Sequence, residues 1–137
     1  MEEYKVQDSV FTKIIKGEIP AHKVYEDDNI IAFMDINPVH EGHTLVVPKQ
    51  QVDHFDDLDD AIYDKLWRIV KKVAKAQKKA FHTNRIGIQV VGLDVPHAHV
   101  HVIPFNTIEE YRFVPLPGSE PDHIKLEQNA KLIKENM

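Results

Sequence analysis

Apolar residues change their spacing along the first third of the chain, from a helical pattern to a strand pattern. The segment Asp8–Gly17 has apolar positions three or four apart between a capping residue, Asp8 or Ser9, and a glycine, which predicts a short first helix. Strands are then predicted over residues 23–25, 29–35 and 43–48. The first two are joined by a turn at residues 27–29.

The helical pattern returns over about residues 57–81 and predicts one long helix. Its charges agree, because Asp residues occupy the first turn and Lys residues the end, opposite in sign to the helix dipole. The predicted buried stripe consists of Ile62, Leu66, Ile69, Val73, Gln77 and Ala80. Two more strands are predicted over 86–91 and 95–104, followed by a connection rich in Pro and Gly and a last helix over about 122–136.

This order of elements predicts an α+β fold. Short loops join most of the strands, and one helix separates the third from the fourth, which favours an antiparallel sheet of about five strands. We expect the long helix on one face of that sheet and short helices at the N-terminal and C-terminal ends. The length, 137 residues, is that of one domain spanning 1–137.

Composition excludes several classes of protein. There is no cysteine, so the chain has no disulfide scaffold, thiolate zinc site or Cys nucleophile. No apolar run has the length of a signal peptide core or a membrane span, so we expect a cytoplasmic protein without a membrane partner. The net charge of −5 argues against nucleic acid as a partner but leaves a small anionic ligand possible.

Three of the nine histidines stand at alternate positions, at His97, His99 and His101. On a strand, this spacing would place the three rings on one face and the intervening apolar residues in the core. Three interpretations are open: an exposed polar face, a metal site, or a row of nucleophilic and proton-transferring imidazoles. Along a strand the outer two rings are about 13 Å apart, which is unfavourable for a single metal ion with 2.0–2.1 Å bonds. Two adjacent rings could still bind one ion, and His43 could join them from another strand.

The sequence around these histidines resembles the histidine triad superfamily. The stretch His97-Ala-His-Val-His-Val-Ile103 is similar to its His-x-His-x-His-x-x signature. Four further stretches resemble the family in the same order: residues 10–20, 24–27, 32–38 and 42–49. The resemblance covers about residues 8–105 and leaves 106–137 as a C-terminal extension.

Within this superfamily the chain looks most like the nucleoside phosphoramidate hydrolases. The resemblance implies that His99 attacks the α-phosphorus, that His101 contacts the phosphate or leaving group and assists proton transfer, and that His97 and His43 support them through hydrogen bonds. The resemblance implies a purine nucleotide as the small-molecule substrate, and we expect no cofactor and no metal. A dinucleoside polyphosphate hydrolase and a nucleotide-binding module with incidental turnover remain the alternatives.

The resemblance also implies a set of substrate-binding residues. Asp35 would accept hydrogen bonds from the ribose hydroxyls, and backbone amides between Gly92 and Val95 would bind the phosphate. The apolar walls around the base would be Phe11, Ile14, Phe33, Ile36 and Leu45. Each has a purely structural alternative, since Asp35 could initiate a turn, His43 could be a packing histidine, and the apolar residues could be core.

Two features bear on specificity and assembly. Leu93 and Asp94 stand where relatives commonly carry Gln and Ser, which places a carboxylate beside the expected phosphate site. The edges of a five-stranded open sheet need cover, and relatives of this branch are typically dimers, so we predict a homodimer. Trp67, one position off the apolar stripe, could contact the partner or cover its own core.

Overall fold

The computed structural model describes residues 7–137 and contains one five-stranded antiparallel sheet. Its order is β1-β2-β3-β5-β4, and every neighbouring pair is antiparallel. This confirms the predicted α+β fold class. The strands are β1 (Lys23–Glu26), β2 (Ile30–Met34), β3 (Thr44–Pro48), β4 (Arg85–Gln89) and β5 (Val100–Phe105).

Four α-helices accompany the sheet, and side chains cap each of them at the N-terminus. They are α1 (Val10–Ile15), α2 (Asp60–Phe81), α3 (Ile108–Tyr111) and α4 (His123–Glu135). The long helix α2 begins three residues later than predicted, because Asp59 accepts a hydrogen bond from the amide of Ile62 and acts as its cap. Residues Phe55–Asp57 form a separate 3-10 turn. No helix within residues 7–137 is long and apolar enough to cross a membrane.

Two helices, not one, cover the main face of the sheet. The long helix α2 packs there as predicted, and α4 lies beside it and contributes Leu126, Ala130 and Ile133 to the same core. The predicted stripe is partly wrong, since Ile62 and Ala80 are only half-buried. The buried residues of α2 are Leu66, Ile69, Val70, Val73, Ala76 and Gln77.

The short helix α1 packs on the opposite face of the sheet. Its Phe11 and Ile14 contact a second apolar cluster that also contains Ile31, Phe33, Leu45 and Val47. Because both faces are covered, every residue of β2 and β3 is buried. These two central strands therefore form a rigid platform under the site described below.

The histidine-rich segment is strand for only part of its predicted length. The prediction of a strand over 95–104 was wrong for residues 95–99, because β5 begins at Val100. Pro96 and Pro48 lack the amide hydrogen that a continued ladder would need. The alternation nevertheless persists, since Ala98, Val100 and Val102 all lie in the core under α2.

The C-terminal extension contains an element that the sequence analysis missed. Helix α3 begins with a capping box, in which Thr107 accepts from the amide of Glu110 and Glu110 accepts from the amide of Thr107. Its Tyr111 ring packs against the backbone at Gly87 so closely that a side chain at Gly87 would collide with it. The extension is thereby attached to the edge strand β4.

Candidate functional site

A cavity of about 390 Å3 opens between α1, the end of β2 and the loop before β5. It brings together most of the residues that the sequence analysis selected. The predicted residues lining it are Phe11, Ile14, Phe33, Asp35, Ile36, Leu45, Gly92, Val95, His99 and His101. His43 and His97 are buried behind this lining and contact it through hydrogen bonds. A second cavity of about 430 Å3, between the C-terminal extension and residues 36–42, is lined without a histidine in the described part of the chain.

Asp35 and His43 face each other because they follow β2 and precede β3, two paired antiparallel strands. The amide of Asp35 donates to the carbonyl of His43 at 3.0 Å. The carboxylate Oδ1 of Asp35 accepts from the amide of Asn37 at 2.8 Å, so this residue does initiate a turn. Its Oδ2 lies 3.5 Å from Nε2 of His43 and 4.0 Å from Nδ1 of His101. Burial raises the pKa of Asp35.

The protonation pattern of His43 and His101 follows from their partners. The amide of Val39 donates to Nδ1 of His43 at 3.1 Å, so that nitrogen has no hydrogen and Nε2 carries it. Nε2 of His43 lies 2.9 Å from Nδ1 of His101 and donates to it. The remaining hydrogen of a neutral His101 is therefore on Nε2, and His101 lines the cavity.

His99 has the opposite tautomer. Its Nδ1 lies 2.7 Å from the backbone carbonyl of His97, and a carbonyl only accepts, so Nδ1 carries the hydrogen. The free ring nitrogen is Nε2, with an unshared electron pair. The ring is held edge-on to Phe11, with centroids 4.9 Å apart, and to His101, with centroids 5.0 Å apart. A basic nitrogen and an N–H donor thus stand on neighbouring rings.

His97 is fully buried and contacts two residues that the sequence analysis did not assign to the site. Its Nε2 donates to the carbonyl of Pro48 at 2.7 Å, and its Nδ1 lies 2.7 Å from the hydroxyl of Ser9. Ser9 was predicted only as a helix cap. The spacing of the sequence gives no signal for this contact, because the two residues are 88 positions apart.

Burial keeps His43, His97 and His101 neutral. It lowers the pKa of His43 to about 4, and the pKa of His101 to about 4 with a smaller contribution from the neighbouring imidazoles. Burial also lowers the pKa of His97, against the opposing effect of its hydrogen bond to Pro48. At neutral pH these rings are therefore available as hydrogen-bond acceptors.

The loop before β5 offers unpaired backbone donors. Gly92 has a φ of 72°, which turns the chain at the mouth of the cavity. Within residues 7–137, the amides of Gly92, Leu93, Asp94 and Val95 donate no hydrogen bond to another protein group. Leu93 and Asp94 are exposed and line the same cavity. Such a loop can bind an anion through its N–H groups.

One group of side chains in the described part of the chain could hold a metal ion. Asp35, His43 and His101 each present one ligand atom, and these atoms lie within 4.8 Å of one another. This set contains His101 and His43, which the sequence suggested for a metal, and has Asp35 in place of a second ring of the row. In the row, the His97 ring is fully engaged by Ser9 and Pro48.

The HIT domain model matches residues 16–108. An uncharacterised HIT-like protein of Borreliella burgdorferi is 40% identical over 71% of this chain and 75% of its own length. Adenosine 5'-monophosphoramidase HNT1 of Saccharomyces cerevisiae is 35% identical over 92% of this chain and 78% of its own. The crystal structure of a Hit-like protein from Bartonella henselae superposes with a TM-score of 0.82, at 37% identity and with 95% and 97% of the two chains covered. The chain belongs to the HIT family.

Proposed function

We propose that this chain is a nucleotide hydrolase that releases a nucleoside 5'-monophosphate from an amine. The observation that carries the proposal is the pair of tautomers at the cavity. Hydrogen bonding leaves Nε2 of His99 with a free electron pair and Nε2 of His101 with a hydrogen. An unprotonated imidazole nitrogen is a competent nucleophile, and a neighbouring N–H suits a phosphoryl oxygen or a leaving group.

The proposed reaction has two displacements at phosphorus. First, Nε2 of His99 bonds to the α-phosphorus and the bond from phosphorus to the leaving nitrogen breaks. The leaving nitrogen takes one proton from His101, which receives it from solvent, and departs as the amine. A bound negative phosphate would raise the pKa of His101 from its low value in the free protein, so that its ring could pass this proton on. Water then attacks phosphorus, the bond to His99 breaks, and one proton returns to solvent.

The positive charge on the intermediate is matched by a fixed acceptor. When His99 carries the nucleotidyl group, its ring becomes cationic and its Nδ1–H still donates to the carbonyl of His97 at 2.7 Å. A hydrogen bond to the charged form of a group stabilises that form. The free amides between Gly92 and Val95 would bind the phosphoryl oxygens.

The rest of the cavity supports a nucleoside as the remainder of the substrate. Its apolar end, formed by Phe11, Ile14, Phe33 and Leu45, suits a flat base. At the other end, no backbone amide of residues 7–137 donates to Oδ2 of Asp35, so this oxygen can accept from ribose hydroxyls. Ile36, 48% exposed, borders the same opening.

Charge favours an amine over a polyphosphate as the leaving group. Asp35 and Asp94 both line the cavity, and among residues 7–137 it is lined by no lysine or arginine. Both carboxylates also line an adjoining cavity of about 290 Å3 under Pro115–Gly118. A polyphosphate extending there would meet like charge, whereas an amine would not. The name of the yeast relative, a monophosphoramidase, agrees with this choice.

The test is a parallel assay of adenosine 5'-phosphoramidate and diadenosine polyphosphates, compared by kcat/KM. We expect the phosphoramidate to be preferred, and rapid quenching to trap a protein adduct whose mass exceeds that of the chain by one nucleotidyl group. The adduct should be absent in His99→Ala. Preference for the polyphosphates would favour the other hydrolase class. Binding of nucleotide without turnover of any substrate would indicate a binding module.

A further inference from the structure

Ser9 connects the first helix to the histidine row through one hydroxyl group. Its side chain is buried, and its Oγ accepts from the amide of Thr12 at 3.0 Å, which caps α1. The same Oγ lies 2.7 Å from Nδ1 of His97. Helix α1 carries Phe11, whose ring contacts those of both His97 and His99. The cap of the helix and the histidine row thus share one atom.

The direction of the Ser9 contact follows from the other side of the imidazole. Nε2 of His97 faces the carbonyl of Pro48 at 2.7 Å and must carry the ring hydrogen. Nδ1 of the neutral ring is therefore an acceptor, and the single hydroxyl hydrogen of Ser9 donates to it at 2.7 Å in preference to Oγ1 of Thr12, which is 3.2 Å away. Thr12 is not an equal substitute, because its Oγ1 is 3.4 Å from Nδ1 and donates to Gln51 at 2.6 Å.

The effect reaches the nucleophile through the backbone of residue 97. The carbonyl of His97 accepts from Nδ1 of His99 at 2.7 Å, and this bond fixes the tautomer that leaves Nε2 of His99 free. Residues 97 and 99 precede β5, so ladder hydrogen bonds do not hold them. The two hydrogen bonds of the His97 ring, to Ser9 and Pro48, hold this segment instead.

We propose that Ser9 is a positioning residue, whose hydroxyl orients His97 so that the His97 carbonyl holds His99 with its Nε2 ready for attack. The proposal rests on the hydrolase function proposed above. It differs from simple helix capping in one chemical requirement. A cap needs only an acceptor, which Asp supplies as well as Ser, whereas the contact with His97 needs a donor.

Three variants separate these roles. Ser9→Thr retains both acceptor and donor, Ser9→Asp retains the acceptor alone, and Ser9→Ala loses both. The matched control is Asp59→Ala, which removes the cap of α2. We expect Ser9→Thr to stay within about threefold of wild-type kcat, and Ser9→Ala and Ser9→Asp to lose about 10–100-fold, with KM changed by less than about threefold. Asp59→Ala should lose stability but not kcat.

The pH profile gives a readout that a structural role alone would not change. In Ser9→Asp the His97 ring can form the contact only when it is protonated and donates from Nδ1 to the carboxylate, so the loss of kcat should be largest at high pH and should diminish as the pH falls. Thermal unfolding should show Ser9→Asp folded at the assay temperature, because the carboxylate still caps α1. Wild-type kcat and an unshifted pH profile in Ser9→Asp would overturn the proposal.

Nitrogen NMR of the imidazoles keeps the two proposals distinguishable. In wild type, Nδ1 of His97 should have the shift of an unprotonated nitrogen that accepts a hydrogen bond, and Ser9→Ala should change that shift and the shifts of His99. This result does not depend on turnover. Unchanged His97 and His99 shifts in a folded Ser9→Ala protein would refute the positioning role even if the wild-type protein hydrolyses phosphoramidates.

Discussion

Nε2 of His43 donates to Nδ1 of His101 across 2.9 Å, and the backbone amide of Val39 fixes the direction of that bond. Protonating His101 on Nδ1 would place this N–H against the N–H of His43 Nε2. Protonating His43 on Nδ1 would place that N–H against the amide of Val39. The nearest compensating charge, Oδ2 of Asp35, is 3.5 Å from His43 and 4.0 Å from His101. The pair is therefore adapted to the neutral form of both rings, and acid should disrupt it.

The first prediction concerns pH. Because the pKa of His43 and that of His101 are each lowered from 6.5 to about 4, the acidic limb of kcat/KM should have its midpoint well below pH 6.5. The unfolded chain binds more protons between pH 6.5 and 4, so stability is complete above pH 6.5 and decreases as the pH falls through that range. For the buried His43 this loss is about 3 kcal/mol.

Denaturant unfolding at several pH values checks this expectation, with His43→Gln as the comparison. That variant removes one of the two titrating groups, so its stability should fall less steeply between pH 6.5 and 4. An equally steep dependence in wild type and His43→Gln would show that the histidine pair is not responsible.

A second prediction tests the nucleophile. His99→Ala should lower kcat by several orders of magnitude and leave the affinity for AMP nearly unchanged, because base and ribose contacts lie elsewhere in the cavity. The exposed His54, substituted by Ala, is a matched control and should retain wild-type kcat. Residual turnover at a tenth of the wild-type rate in His99→Ala would rule out a covalent role for that ring.

A third prediction concerns Asp94 and the charge of the leaving group. Asp94 acts electrostatically on His101 and lines the candidate cavity. Adenosine 5'-phosphoramidates with a cationic amine tail should have a kcat/KM about fivefold above those with an anionic tail. Asp94→Asn should reduce this ratio, and raised salt should too. Glu127→Gln, at an exposed position on α4, should leave the ratio unchanged; an unchanged ratio in Asp94→Asn would remove Asp94 from specificity.

The sequence predicted the residues that line the cavity better than the buried hydrogen bonds behind them. Alternation and motif selected His99, His101 and Asp35, and all three line one cavity. Local spacing controls which way a side chain points. The contacts of His97 with Ser9 and Pro48 depend on tertiary packing between segments 88 and 49 residues apart, which no local pattern encodes. Pro48 and Pro96 end the ladder early because they lack an amide hydrogen, and this effect made the prediction of a strand over residues 95–99 wrong.

The fourth prediction concerns metal dependence. Exhaustive chelation should leave kcat/KM unchanged, because the proposed chemistry uses imidazole nitrogens and backbone amides only. The measurement is activity before and after chelation, paired with elemental analysis of the protein as purified. Loss of activity that zinc restores would assign catalysis to the cluster of Asp35, His43 and His101, and Asp35→Asn should then abolish the restoration.

The last prediction is a homodimer paired through the edge strand β4. This strand ends the sheet and presents Ile88, which is 43% exposed. Sedimentation equilibrium at micromolar concentration should give twice 15.8 kDa. Ile88→Lys should shift the protein to monomer, whereas Ile124→Lys, on an exposed face of α4, should not. A wild-type monomer would refute the prediction.

Trp67 packs on its own core, so Trp67→Ala should leave association unchanged.

The late start of β5 has a consequence for the timescales on which the protein moves. Residues 92–97 lie outside the ladder, so their amide hydrogens can exchange with solvent through small local openings. The amide hydrogens of β5 exchange only when a larger part of the structure unfolds. Ala98, whose amide donates to the carbonyl of Val52 at 2.7 Å, marks the boundary between these two regimes. Deuterium uptake would therefore change abruptly within the histidine row, and a bound nucleotide would move that boundary toward Gly92.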